Sequence, residues 1–133
     1  MQLGHNHAAA QSAVLGSWME TLIRYVRSDR PDLTNRQMAI LLLVYLVDGP
    51  HTVRGLAGRL GVSKPVVTRA LNTLGALSYI RRRRDDTDLR NIFVERTGPG
   101  QDFLDRFAAL IEVPSGFERA ASRQDFSTGL RPS

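Results

Sequence analysis

Between Ser63 and Asn72 the chain sets Lys64, Thr68, Arg69 and Asn72 at helical spacing, with Pro65 in the first turn. Together with Ser63 that is two cations, three hydrogen-bonding side chains and a proline that stiffens the leading end. Short polar and cationic groups on one helix stripe suit a DNA major groove, where arginine forks onto guanine O6 and N7 and asparagine pairs with adenine. The N–H groups at the start of such a helix can also meet a phosphate. Further on, Arg81 to Arg84 form an unbroken basic run, followed by a polar tip in which Asp88 and Arg90 stand two apart. In a strand the run alternates, so Arg81 and Arg83 share one face and Arg82 and Arg84 the other. Only one pair can then address a given phosphate backbone.

The wider charge pattern agrees with a polyanion-facing surface. From His51 to Arg84 there are eight cations and no carboxylate, inside a chain whose net charge is +5, so the rest is mildly acidic. Other chemistry finds little support. There is no cysteine, which removes disulfides, thiolate metal sites and cysteine redox sensing. No glycine-rich phosphate loop and no convergent Ser/His/acid set occurs, so the chain is not expected to be an enzyme. His5 and His7 lack a third ligand nearby, which argues against a metal site. His51 suits a structural hydrogen bond. The longest apolar run, Met38 to Val47, is about half of what a membrane span needs. With no secretory pattern at the N-terminus, a soluble cytoplasmic protein is expected, with no membrane partner.

The elements that must hold these groups can be read in order. Residues 1–7 are expected to be a flexible terminus. A helix follows from Ala8 to about Arg27, with Val14, Leu15, Trp18, Met19, Leu22, Ile23 and Val26 around a wide apolar face. Thr34 and Gln37 have the spacing of a capping box, opening a helix through the apolar run to Asp48-Gly49-Pro50. Because that helix is apolar all round, it should be a central strut covered on every side. A short extended piece at His51-Thr52-Val53 leads to a third helix, about Val53 to Leu60, stopped by Gly61. Ser63 is placed to cap the next helix, which runs to about Leu74 with Val67, Ala70, Leu71 and Leu74 inward. Tyr79–Arg84 and Asn91–Arg96 are strand-like around the tip, forming a hairpin. Thr97 can cap a last helix, Pro99 to about Glu112, carrying Phe103 and Phe107 on its apolar side. Residues 113–133, rich in Ser, Gly and Arg, should be loosely ordered.

Two short helices joined at Gly61-Val62-Ser63 and followed by a hairpin form a winged helix-turn-helix. The fold class is therefore mainly α with a small β-wing and flanking helices. The domain runs over 8–112 and its DNA-binding core over 33–97. The flanking helices carry apolar faces too wide for that core to cover, so Trp18, Leu22, Phe103 and Phe107 are expected at a homodimer seam. Aromatic residues there, Tyr25 among them, also suit the lining of a small-molecule pocket.

From Leu33 to Thr97 the sequence resembles the MarR family of bacterial transcription regulators. The matching residues are Leu33-Thr34-x-x-Gln37, Leu56-Ala57-x-x-Leu60-Gly61-Val62-Ser63 and Val67-Thr68-Arg69. Most specific is the wing, Arg84-Asp85-x-x-Asp88-x-Arg90, with Ile92-x-Val94-x-x-Thr97 after it. The resemblance implies that Arg90 inserts into a minor groove, oriented by Asp88. It also implies that Ser63, Lys64, Pro65, Thr68 and Arg69 meet the major groove and its phosphates. Asn72 on the same face, and Arg83 and Arg84 at the phosphates, complete the candidate set. Family members are usually homodimers, often repress, and in many cases release DNA on binding a small aromatic or phenolic effector. No cofactor is implied. Two positions depart from the pattern: Arg96 stands where leucine is usual, and Ser78 near a usual glycine. The alternative use of the same fold is as a protein-interaction module whose basic face grips an acidic partner.

Overall fold

A computed structural model describes residues 2–111. Its elements are α1 (Gln2–Arg27), α2 (Asn35–Leu46), β1 (His51–Thr52), α3 (Val53–Leu60), α4 (Lys64–Ala76), β2 (Ile80–Arg84), β3 (Ile92–Arg96) and α5 (Gly98–Leu110). The expected loose tail, 113–133, lies outside the described residues. The described chain divides into two compact units, one spanning Leu33–Leu104 and the other formed by the chain up to Asp32 with residues from Asp105. No helix among the described residues is long and apolar enough to cross a membrane.

In the unit from Leu33 to Leu104, α2 starts as its sequence dictates. Thr34 Oγ1 accepts from the Gln37 N–H and Gln37 Oε1 accepts from the Thr34 N–H, at 3.2 and 2.9 Å. Ile40, Leu41, Val44 and Tyr45 bury one side of α2. The strut is not covered all round, however. Met38, Leu42 and Leu43 are half-buried and Leu46 is exposed, because an unbroken apolar run supplies more faces than this unit packs against. Thr52 caps α3 through the Gly55 N–H, and Gly61 stops it at φ +67°, the left-handed conformation that costs glycine least. Val53, Leu56 and Ala57 of α3 meet the inward stripe of α4 (Val67, Ala70, Leu71 and Leu74) in the core.

The three strands form an antiparallel sheet in the order β1-β3-β2. His51 pairs with Val94, Ile80 with Arg96 and Arg84 with Ile92, so the expected extended piece is a true edge strand. Arg96 explains its departure from the usual leucine. Its guanidinium donates from Nε to the Val44 carbonyl at 2.7 Å and from Nη2 to the Val47 carbonyl at 3.3 Å. A cation there satisfies carbonyls that the end of α2 leaves without helical partners. His51 Nε2 also bonds the Val47 carbonyl, at 2.7 Å, which is the structural role its sequence position suggested.

A second node fixes the base of the hairpin. The Tyr45 hydroxyl donates to the Tyr79 carbonyl at 2.7 Å and accepts from the Thr97 N–H at 2.8 Å, while Thr97 Oγ1 donates to the Ser78 carbonyl. Ser78 holds φ +65°, the conformation the family's usual glycine would take without strain. Tyr79 and Phe103 stack tilted, with centroids 4.6 Å apart. Gly100 is required at this node, since a Cβ there would fall on the Tyr45 hydroxyl and the Tyr79 carbonyl.

In the other unit, α1 begins at Gln2 rather than at Ala8, so residues 2–7 are helical where a flexible terminus was expected. Helix propagation from the Ala8-Ala9-Ala10 stretch adds one hydrogen bond per residue fixed, and no proline lies upstream to end it. Tyr25 is buried, donates to the Pro31 carbonyl and meets Phe107 edge-on at 5.2 Å.

Candidate nucleic-acid interface

The α4 helix separates its two faces as the spacing requires. Lys64, Pro65, Thr68, Arg69 and Asn72 are all exposed, opposite the buried stripe. Ser63 occupies the N-cap with extended dihedrals, but its side chain makes no capping hydrogen bond. Its hydroxyl and the first amides of α4 are therefore not consumed by each other. Among the described residues, the Lys64 and Arg69 side chains have no ion-pair or hydrogen-bond partner. Arg69 lines a cavity of about 240 Å³ with Arg36 and Gln37 of α2 and Val66 and Thr73 of α4, which sets Arg36 beside the α4 face.

The wing is a hairpin whose tip is tied by its own carboxylates. Asp85 accepts from the Thr87 N–H at 2.9 Å and the Thr87 hydroxyl at 2.7 Å, and Thr87 holds its carboxyl below the usual aspartate range. Asp88 Oδ1 accepts from both the backbone N–H and Nε of Arg90, at 3.1 and 3.2 Å. The Arg90 side chain remains 85% exposed, so Asp88 aims it without burying it.

The four arginines of β2 alternate, and their partners differ by face. Arg81 and Arg83 both reach Glu95 on β3, at 3.5 and 3.0 Å, and Arg83 lies over the Phe93 ring at 4.8 Å. Hydrogen bonding from Arg83 holds the Glu95 carboxyl below its usual range, so that charge persists at neutral pH. On the other face, Arg82 Nη1 donates to Asn72 Oδ1 at 2.9 Å, and Arg84 is exposed with no partner. Arg83 is thus partly neutralised, whereas Arg84 carries its full charge outward. Glu95 was legible as a cross-strand partner of Arg81 once the hairpin register was drawn. Arg36 carries no local sequence signal, and nothing in the basic run marks Asn72 as the partner of Arg82.

The residues expected at a dimer seam divide. Trp18 and Leu22 are exposed at 47% and 41%, and with Leu15, Met19, Ile23 and Val26 they line an open apolar groove of about 440 Å³ along α1. Phe103 and Phe107 are buried within the chain, at 1% and 6% exposure. Helical periodicity marks an apolar face, and both aromatics spend it on their own chain.

A sequence profile of the MarR family matches residues 32–91. No curated protein sequence matches the chain significantly. Solved structures do. YusO of Bacillus subtilis is 19% identical with a TM-score of 0.67, covering 92% of this chain and 79% of its own. The transcriptional regulator BldR of Sulfolobus solfataricus is 27% identical with a TM-score of 0.56, over 82% and 75%. S. aureus MepR, solved as a complex with DNA, is 20% identical with a TM-score of 0.59, over 80% and 82%.

Proposed function

We propose that this chain, whose residues 32–91 match the MarR family profile, is a winged helix-turn-helix transcriptional regulator of that family, a sequence-specific reader of double-stranded DNA acting as a homodimer. The α4 helix, residues 63–74, enters a major groove, and the wing, 85–91, places Arg90 in the neighbouring minor groove. The observation that carries this reading is the exposed α4 stripe, where the Lys64, Thr68 and Arg69 side chains have no partner among the described residues, opposite the buried Val67, Ala70, Leu71 and Leu74. Side chains that pack on nothing of their own, on a helix that a core holds rigid, are what base-edge contacts need. MepR, which shares the fold, has been solved as a complex with DNA, which supports a DNA-binding role.

The homodimer rests on the α1 groove around Trp18 and Leu22, covered by a second copy across a two-fold axis. Two α4 helices then address one DNA face, and the site is an imperfect palindrome with half-sites about one helical turn, roughly 10 bp, apart. Occupation of such a site represses transcription, as is usual in the family. Selection from random duplexes is expected to enrich that palindrome, and sedimentation at micromolar protein to give a dimer that Trp18→Ala weakens. Enrichment of a single, unrepeated element, or a monomeric wild type, would overturn the two-fold arrangement.

A further inference from the structure

Asn72 has the side chain to read adenine, which requires its amide to donate to N7 and accept from N6 on one base edge. Its surroundings work against that. Arg82 Nη1, from β2, donates to Asn72 Oδ1 at 2.9 Å, and Arg82 Nη2 lies 3.9 Å from the position a Cβ on Gly75 would take. The guanidinium is thus laid along the exposed side of α4, across residues 72 and 75. An arginine has only donors, so the oxygen of the Asn72 amide must be the atom turned to it, and the NH2 group turns away. The bond is charge-assisted, and so stronger than a neutral pair.

We propose that Arg82 is a specificity-determining residue that acts through Asn72, turning a potential adenine reader into a donor-only pair that prefers guanine. The inference rests on the DNA-binding role proposed above. With its oxygen turned to a cation, Asn72 presents N–H donors outward, and the remaining N–H groups of Arg82 add more. Guanine offers two acceptors, O6 and N7, on its major-groove edge, whereas adenine offers one acceptor beside a donor. The donors of the Arg82–Asn72 pair therefore disfavour the N6 amino group of adenine. It also assigns a role to Arg82, the member of the basic run that turns toward α4.

The test uses the full chain as wild type, Arg82→Met, Asn72→Ala and the double variant. Methionine keeps an aliphatic stem and removes the donors, and Arg82 is exposed, so the fold is not at stake. In free protein, the Asn72 side-chain NH2 resonances are expected to shift in Arg82→Met; unchanged resonances would refute the pairing itself. In selection from random duplexes, wild type should enrich guanine at one pair of symmetric positions, and Arg82→Met should switch that pair to adenine by about tenfold. Asn72→Ala and the double variant should show neither preference. A uniform loss of affinity in Arg82→Met, with preferences intact and the salt dependence shallower, would make Arg82 a phosphate contact and overturn the proposal. If wild type selects no sequence, the DNA reading fails first, and the resonance shift shows that the pairing stands without it.

Discussion

Glu95→Gln isolates how much of the β2 charge is available to DNA. Glu95 takes Arg83 at 3.0 Å and Arg81 at 3.5 Å, and its lowered carboxyl keeps it ionised at neutral pH. Both arginine side chains are more than half exposed, at 54% and 70%, so the pairing itself is worth little to stability, within about 1 kcal/mol. Its effect on DNA is larger. Each phosphate neutralised steepens the plot of log K against log salt by about 0.9. Releasing one or both arginines should therefore steepen the slope by about 0.9 to 1.8. Over a fourfold change in salt, from about 200 to 50 mM, each new contact adds about 3.5-fold in affinity. Anisotropy titrations of a labelled random duplex across that range measure the slope directly. The glutamine variant should bind non-specific DNA more tightly at low salt, with an unchanged unfolding midpoint. An unchanged slope would refute the placement of the Arg81/Arg83 face near the DNA backbone.

Arg90→Ala should weaken specific DNA more than Arg83→Ala does, since Asp88 aims an 85% exposed Arg90 while Arg83 is shared with Glu95; equal losses by anisotropy would argue against a wing in the minor groove. Gly100→Ala should destabilise by about 3 kcal/mol or more, from overpacking and the loss of the Tyr45 bonds, read as a lowered urea midpoint; a change under about 1 kcal/mol would mean the node yields freely. The Asp85 carboxyl, depressed by its bonds to Thr87, stabilises the tip above the unfolded pKa and loses that contribution as pH falls through the folded one. The Thr87 amide resonance should titrate with a midpoint below the ordinary aspartate value of 3.8, and a midpoint at or above it would refute the turn.

What the sequence made legible was local. The Thr34/Gln37 box, the Gly61 stop, the proline opening α4 and the alternation of β2 each concern residues within a few positions of one another, where side-chain chemistry meets backbone directly. The Asp88–Arg90 pair belongs to the same class. Contacts across the fold were not legible. Tyr45 looks like one more apolar residue of the strut until its hydroxyl is seen joining positions 79 and 97. Arg96 reads as a misfit until the end of α2 comes within its reach. Periodicity placed Phe103 and Phe107 on an apolar face, but burial by the same chain or by a second copy leaves an identical pattern in one dimension.

The charge pattern shows the same limit in a form that bears on mechanism. Eight cations between His51 and Arg84 suggest one continuous basic surface. In the structure they are not equivalent. Arg81 and Arg83 answer to Glu95 and Arg82 to Asn72, while Arg54, Arg59, Lys64, Arg69 and Arg84 have no partner among the described residues. The unpartnered charge lies mainly on α3 and α4, beside the proposed base-reading stripe, while Arg81 and Arg83 of the strand share one carboxylate. Non-specific affinity grows with every phosphate contact but carries no information about sequence. A strand of four free arginines would raise binding to all DNA alike and so narrow the ratio on which a regulator depends. On the proposed reading, Glu95 and Arg82 therefore act on discrimination more than on affinity: the first lowers the uniform part of binding, and the second turns the Asn72 amide so that it presents donors to a base edge.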